Sequence, residues 1–288
     1  MGRRVRGWLR RRRWLVTMVA GLVAVALTVE LHAQFFPQRG FNRGFGNMRK
    51  ARPEDIDGTF QFCRIAFPSD FRGDPGAGGW SADFPRADIN LSIRLSELTK
   101  TRVGRDSYDE PTHLLIELTD PELFDCPFTM MTEVGAASFS EAGAANLRDY
   151  LEKGGFLWAD DFWGDVAWDW WEGQLRKALP AAEFPIVDLT PDHPLYHAQF
   201  EIKETPQITN IGFWTRTGGQ TSERGEESAM VHTRAVFDKH GRMMVLMTHN
   251  SDFGDAFERE GDDPEFFYKQ SVPGYGFGIN VLLYALTH

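Results

Sequence analysis

The chain has 288 residues, with 31 basic and 41 acidic side chains, a formal net charge of −10 and two cysteines. Removing residues 1–33, which hold seven of the arginines and one glutamate, deepens that charge to −16. Such a surface excludes nucleic acid as a partner, because phosphate binding needs clustered Lys and Arg, and it does not suit an anionic membrane surface.

Arg3, Arg4, Arg6 and Arg10 to Arg13 form a basic n-region. Trp14 to Leu31 is an apolar run broken only by Thr17, Thr28 and Glu30, and Leu31-His-Ala33 is a small-residue cleavage site. This layout predicts export. Two fates fit residues 1–33: a cleaved signal peptide with Gln34 as the first mature residue, or an uncleaved inner-membrane anchor, since the run is near the lower length limit for a span. Either fate places the rest of the chain in the periplasm or another extracytoplasmic space. Residues 34–58, rich in Gly, Arg and Phe, lack periodicity and read as a flexible tether.

The remaining residues, 59–288, suffice for one α/β domain. Phe60 to Phe67 reads as a buried first strand. Ala87, Leu91, Leu95 and Leu98 have helical spacing within 85–99. Leu114 to Leu118 is a short strand, Asp120 to Pro127 a turn-rich connection, and Phe128 to Val134 another apolar strand. Ser138 or Ser140 can cap the next helix, and Ser138-Phe-Ser-Glu141 has capping-box spacing. Ala144, Leu147 and Leu151 form its apolar stripe, and Gly154-Gly155 stops it. Phe156 to Ala159 is a buried strand ending at Asp160-Asp161. Strand, helix and strand with short connections predict a parallel sheet. A helix follows over 165–178, then a strand over 184–189, a hairpin from 234–237 and 242–248, and a closing helix over 278–286 with Gly274 to Gly278 as its entry. Cys63 and Cys126 can pair in an oxidising compartment or be two small buried hydrophobes. The aromatic excess, nine Trp and 23 Phe, fits a core or a cleft and identifies no ligand.

Ligands of open α/β sheets bind outside the carboxyl ends of the strands. That rule selects Glu133, Asp160, Asp161, Thr248, His249, Asn250 and Asp252 as one acidic, His-containing crevice. Paired carboxylates there can divide acid and base roles or hold a divalent cation, while Asp160 and Asp161 can equally cap the following helix and make turn hydrogen bonds. Arg64, inside the first strand, needs a carboxylate partner if buried; a crevice carboxylate can supply it, or Arg64 points to solvent. His193 and His197 are four apart, but Pro191 and Pro194 argue against the helix a zinc site of that spacing needs. No Gly-x-Ser-x-Gly elbow, phosphate loop with Lys or CxxC pair occurs. Accordingly no cofactor and no metal ligand are assigned.

The segments Leu123-Phe-Asp-Cys-Pro-Phe128, Leu147 to Asp161, Pro191 to His197, Asn250 to Glu258 and Gly278 to His288 together resemble the DUF4159 family, over roughly residues 60–288. The resemblance implies a class I glutamine amidotransferase-like fold: a flavodoxin-like, mostly parallel sheet with helices on both faces. In amidotransferases of that fold the nucleophilic Cys follows a strand after a Gly-Gly helix stop. The matching position here is Asp160-Asp161, and neither cysteine falls there, so glutamine hydrolysis is disfavoured. The resemblance also implies envelope work beside MoxR-type ATPases and von Willebrand A-type membrane proteins. Two functions follow as expectations: a non-catalytic ligand- or protein-binding module of the bacterial envelope, or a periplasmic hydrolase, metal-assisted, using Asp160, Asp161 and His249.

Overall fold

The computed structural model describes residues 50–288. Seven strands make one sheet: β1 (Phe62–Ala66), β2 (His113–Glu117), β3 (Phe128–Thr132), β4 (Phe156–Phe162), β5 (Ile186–Asp188), β6 (His232–Phe237) and β7 (Met243–His249). The helices are α1 (Arg86–Leu98), α2 (Glu141–Glu152), α3 (Gly164–Ala178), α4 (Ile211–Thr217), α5 (Phe253–Glu258) and α6 (Val272–Thr287), the last entered through a short turn at Pro264–Phe266 and a π turn at Phe267–Ser271. The strand order is β2-β1-β3-β4-β7-β6-β5. The first five run parallel, and β6 and β5 attach by antiparallel pairing.

Alternate residues of each strand point to opposite faces, and the core divides accordingly. Cys63, Ile65, Met131, Leu157 and Ala159 pack with Ala144, Leu147 and Leu151 of α2 and Ala167, Trp171 and Leu175 of α3. Phe62, Phe128, Met130 and Trp158 pack on the other face with Leu91 and Leu95 of α1, Phe257 of α5 and Phe277 of α6. Helices therefore cover both faces, which is why the central strands read as continuous apolar runs rather than alternating ones. Cys63 and Cys126 lie in the first of these cores and form a disulfide. Of the two readings of the cysteines, the structure shows the pairing and not two unbonded hydrophobes, although both residues are buried.

Several boundaries differ from expectation. Residues 50–56 touch the sheet: Lys50 bridges to Leu115, Ala51 N–H donates to the Leu115 carbonyl at 3.0 Å, and Ile56 packs on the core. This short stretch adds to the edge of the sheet beside β2, a tertiary contact without periodicity in the sequence. Ser140, rather than Ser138, caps α2, its hydroxyl accepting from Gly143 N–H at 3.0 Å. Helix α6 starts at Val272 rather than 278. Its glycines serve packing: a Cβ on Gly274 would come within 2.7 Å of Ala256, and one on Gly278 within 2.8 Å of Phe257. Among the described residues no helix is long and apolar enough to cross a membrane. The predicted signal or anchor at 1–33, and the tether as far as residue 49, lie outside them.

Candidate functional site

In the order β2-β1-β3-β4 the chain leaves β1 to one side for β2 and returns to the other side for β3. The resulting switch between β1 and β3 is where an open parallel sheet makes a crevice at its carboxyl end. A cavity of about 510 Å³ lies at that end of the sheet. The β1–α1 loop contributes Asp74 and Asp83, the end of β3 Glu133, the end of β4 Asp161, the segment after β7 Asp252, α5 Asp255 and Glu258, and the loop after α4 Glu223 and Arg224. With Arg259, the lining holds eight carboxylates and two arginines. That imbalance favours a cation over an anion, since a bound positive charge would also draw the lining acids into their ionised form.

Backbone geometry marks the same place. Of five residues other than glycine with positive φ among the described residues, Asp83, Glu133, Asp161 and Asn250 gather at this end of the sheet, with φ of 61°, 50°, 54° and 64°. Left-handed backbone is uncommon outside glycine, and such residues cluster at functional sites. Backbone bonds to remote segments hold three of them there. Glu133 N–H donates to the Asp160 carbonyl at 3.0 Å, Asp161 N–H to the Ser251 carbonyl at 3.1 Å, and Asn250 N–H to the Phe162 carbonyl at 2.9 Å. The carboxylates are also fixed: Glu133 Oε2 accepts from Gly79 N–H at 2.5 Å, Asp161 Oδ1 from Trp163 Nε1–H at 2.9 Å, and Asp252 Oδ1 from Asp255 N–H at 2.8 Å.

Burial raises the pKa of these acids, because charge is costly away from water and their neighbours are also acidic. Desolvation, offset by the Gly79 N–H bond and reinforced by Asp74, lifts Glu133 to about 7. Desolvation lifts Asp255 to about 7, and Asp83, Asp161 and Asp252 rise well above the usual carboxylate range, first by desolvation and then by the charge of Asp255 on Asp83, Glu133 on Asp161 and Asp161 on Asp252. Three of them, Asp83, Asp252 and Asp255, place one carboxylate oxygen each within 4.8 Å of the others.

The structure brings only part of the expected crevice together. Glu133, Asp161 and Asp252 line the cavity, but Arg64, Asp160, His249 and Asn250 do not. Arg64 is fully buried and pairs with Asp88 of α1, not with a crevice carboxylate, and donates to Thr132 Oγ1 at 2.8 Å. Its alternation on β1 aims it at the α1 face, where Asp88 supplies the counter-charge. Asp160 is fully buried and accepts from Phe253 N–H at 2.8 Å, Gly254 N–H at 3.2 Å and the Thr248 hydroxyl. It supports the first turn of α5, distant in sequence, rather than capping the helix that follows it, α3, whose N-cap Trp163 makes no side-chain bond. Asn250 bridges Gly164 N–H and the Met230 carbonyl. His249 stacks on Phe162 and bonds the Gly164 carbonyl at 3.0 Å, and burial lowers its pKa to about 4, leaving it a neutral packed ring. His193 accepts from Leu195 N–H and His197 contacts Glu201, so the two do not form a ligand pair.

Sequence reasoning missed Asp74, Asp83, Glu223, Asp255 and Glu258. Asp255 had a signal: Asp252-Phe-Gly-Asp255 is an N-cap acid followed by a first-turn acid. Asp83 and Glu223 lie in loops, where no periodicity points to them.

Fold and crevice together define an α/β domain with an acidic cleft at the carboxyl ends of parallel strands. The family model described as Domain of unknown function (DUF4159) matches residues 72–286, and the chain belongs to that family. No curated protein matches the chain.

Proposed function

We propose that this is an exported binding module whose strand-end crevice takes a small cationic ligand. The observation that carries the reading is the lining of eight carboxylates against two arginines. The order β2-β1-β3-β4-β7 supports a flavodoxin-like scaffold of the amidotransferase-like kind,. Asp160-Asp161, near the end of β4, the strand that follows Gly154-Gly155, are the residues the resemblance matches to an amidotransferase nucleophile position, and Asp161 has left-handed backbone there. Both cysteines of the chain are engaged with each other, so no thiolate serves the crevice. The disulfide also supports an extracytoplasmic location, in keeping with the basic and apolar N-terminus, and envelope proteins of the von Willebrand A type are the partner class we infer.

Thermal melting of the full-length chain in mild detergent tests the reading. Spermidine is expected to raise the melting temperature, a neutral sugar and citrate to leave it unchanged, and Glu133→Gln with Asp161→Asn to abolish the response. Stabilisation by citrate alone would overturn it.

One observation favours a hydrolytic variant: Glu133, at the crevice with a pKa of about 7, is poised as a general base near neutral pH,. That variant rests on Glu133 and Asp161, because His249 and Asp160 face elsewhere. Turnover of amide or ester substrates that survives Glu133→Gln would remove it.

A further inference from the structure

We propose that Asp83, Asp252 and Asp255 bind a hard divalent cation, with calcium the first candidate. This rests on the reading of the crevice as a site for cations, and it names the ion class and its ligands. Asp83 from the β1–α1 loop and Asp252 and Asp255 from the cap and first turn of α5 place one oxygen each within 4.8 Å of the others. Calcium takes oxygens at about 2.3–2.6 Å, so oxygens on opposite sides of one ion stand up to about 5 Å apart.

The geometry supplies an observation beyond acidity. Asp83 Oδ2 is shut off from solvent and has no hydrogen-bond partner, a condition that is costly for a buried polar atom. The chain makes room for that atom: a Cβ on Gly254, the second residue of α5, would collide with Asp83 Oδ2. The other two ligands keep capacity as well. Asp252 uses Oδ1 to cap α5, which leaves Oδ2 for an ion. Asp255 Oδ2 accepts from Ile211 N–H at 2.5 Å. Arg259 Nε stands 3.6 Å from Asp255 but 2.9 Å from Glu258, so Glu258 takes most of its charge. The donor set is oxygen only, with no imidazole or thiolate, which favours calcium, magnesium or manganese over zinc or copper. Asp161 and Glu133 line the same cavity and would attract the ion into it.

The test is calorimetric titration of the chelator-stripped, full-length chain at pH near 7.5 with calcium, magnesium, manganese and zinc chlorides. Saturable binding of one calcium, magnesium or manganese ion per chain is expected. Asp83→Asn and Asp252→Asn, near-isosteric and less repulsive, should fold as judged by circular dichroism and bind about tenfold or more weakly. Asp149→Asn, an exposed site on α2, should bind as the parent does. Tightest binding of zinc, no saturable binding of any ion, or unchanged binding in both Asn variants would overturn the proposal. A chain that responds to spermidine but to no metal loses this site and keeps the cationic crevice; a chain that responds to neither loses both.

Discussion

Asp160 Oδ2 accepts a hydrogen bond from Phe253 N–H at 2.8 Å, so the end of β4 holds the first turn of α5 in place. The acid that sequence placed in the crevice instead positions the helix that carries Asp255. Removing it should cost both structure and site. Asp160→Ala strands two helix N–H groups and the Thr248 hydroxyl, and each buried unsatisfied group costs about 1–3 kcal/mol. A fall in stability of about 2 kcal/mol or more is expected by chemical denaturation at pH 6, with Asp160→Asn losing less. An unchanged unfolding midpoint for Asp160→Ala would show that α5 does not depend on this cap.

Stability should fall as pH rises through neutrality. Burial lifts Asp160, Glu133 and Asp255 to about 7, and Asp83, Asp161 and Asp252 well above their ordinary values. The native state then binds more protons than the unfolded chain between about pH 4 and 7, and stability declines with pH across that window. His249 acts on the acid side. With its folded pKa lowered to about 4, it binds a proton only on unfolding between about pH 6.5 and 4, so its contribution is lost as pH falls through that range. Six raised acids outweigh one lowered histidine, so in the presence of chelator the melting temperature should be highest near pH 4–5 and drop by at least about 4 °C by pH 8. Scanning fluorimetry across buffers reads this directly, and a flat or rising profile from pH 6 to 8 contradicts it.

The Cys63–Cys126 bond closes a loop with a sequence separation of 63 residues, tying β1 to the segment before β3. Loop-closure entropy for that length corresponds to about 4 kcal/mol. The Cys63→Ala/Cys126→Ala chain should lose about that much, measured by denaturant unfolding against the oxidised parent. A loss below about 1 kcal/mol would mean the bridge is structurally redundant.

What the sequence made legible follows from what periodicity encodes. Apolar runs located all seven strands, and Ala144, Leu147 and Leu151 located α2, because burial against two helical layers imprints a local pattern. Helices α4 and α5 escaped: they are short, and α5 is set by the remote Asp160 rather than by its own stripe. The crevice was half legible. Strand ends yielded Glu133, Asp161 and Asp252, but strand-end position does not say which way a side chain turns. Residues 160 and 161 are adjacent, and the bulge between Ala159 and Phe162 sends one carboxylate under α5 and the other into the cavity. Asp83 reaches the site from a loop through tertiary contacts alone.

Arg64 and Asp88 make a fully buried ion pair between β1 and α1. Breaking such a pair leaves one uncompensated charge and costs about 3–5 kcal/mol, whereas replacing both partners is often close to neutral. Arg64→Met should therefore be strongly destabilised, and Arg64→Met/Asp88→Asn should recover most of the loss in a double-mutant cycle. Additive losses would show that the two side chains do not act as a pair.

Gly254 separates a structural role for Asp83 from a ligand role. Any side chain at 254 collides with Asp83 Oδ2, so Gly254→Ala must push the Asp83 carboxylate away from Asp252 and Asp255. Overpacking of this kind costs about 1–3 kcal/mol. If Asp83 only fills space, that stability loss is the whole effect, and the folded variant binds divalent ions as the parent does. If Asp83 is a ligand, ion affinity falls by about tenfold or more at temperatures where the variant is fully folded. Gly261→Ala, where an added Cβ meets nothing within 4 Å, should change neither quantity. Calorimetric titration of both variants beside their melting curves separates the two cases, since only displacement of a ligand lowers affinity in a chain that is still folded.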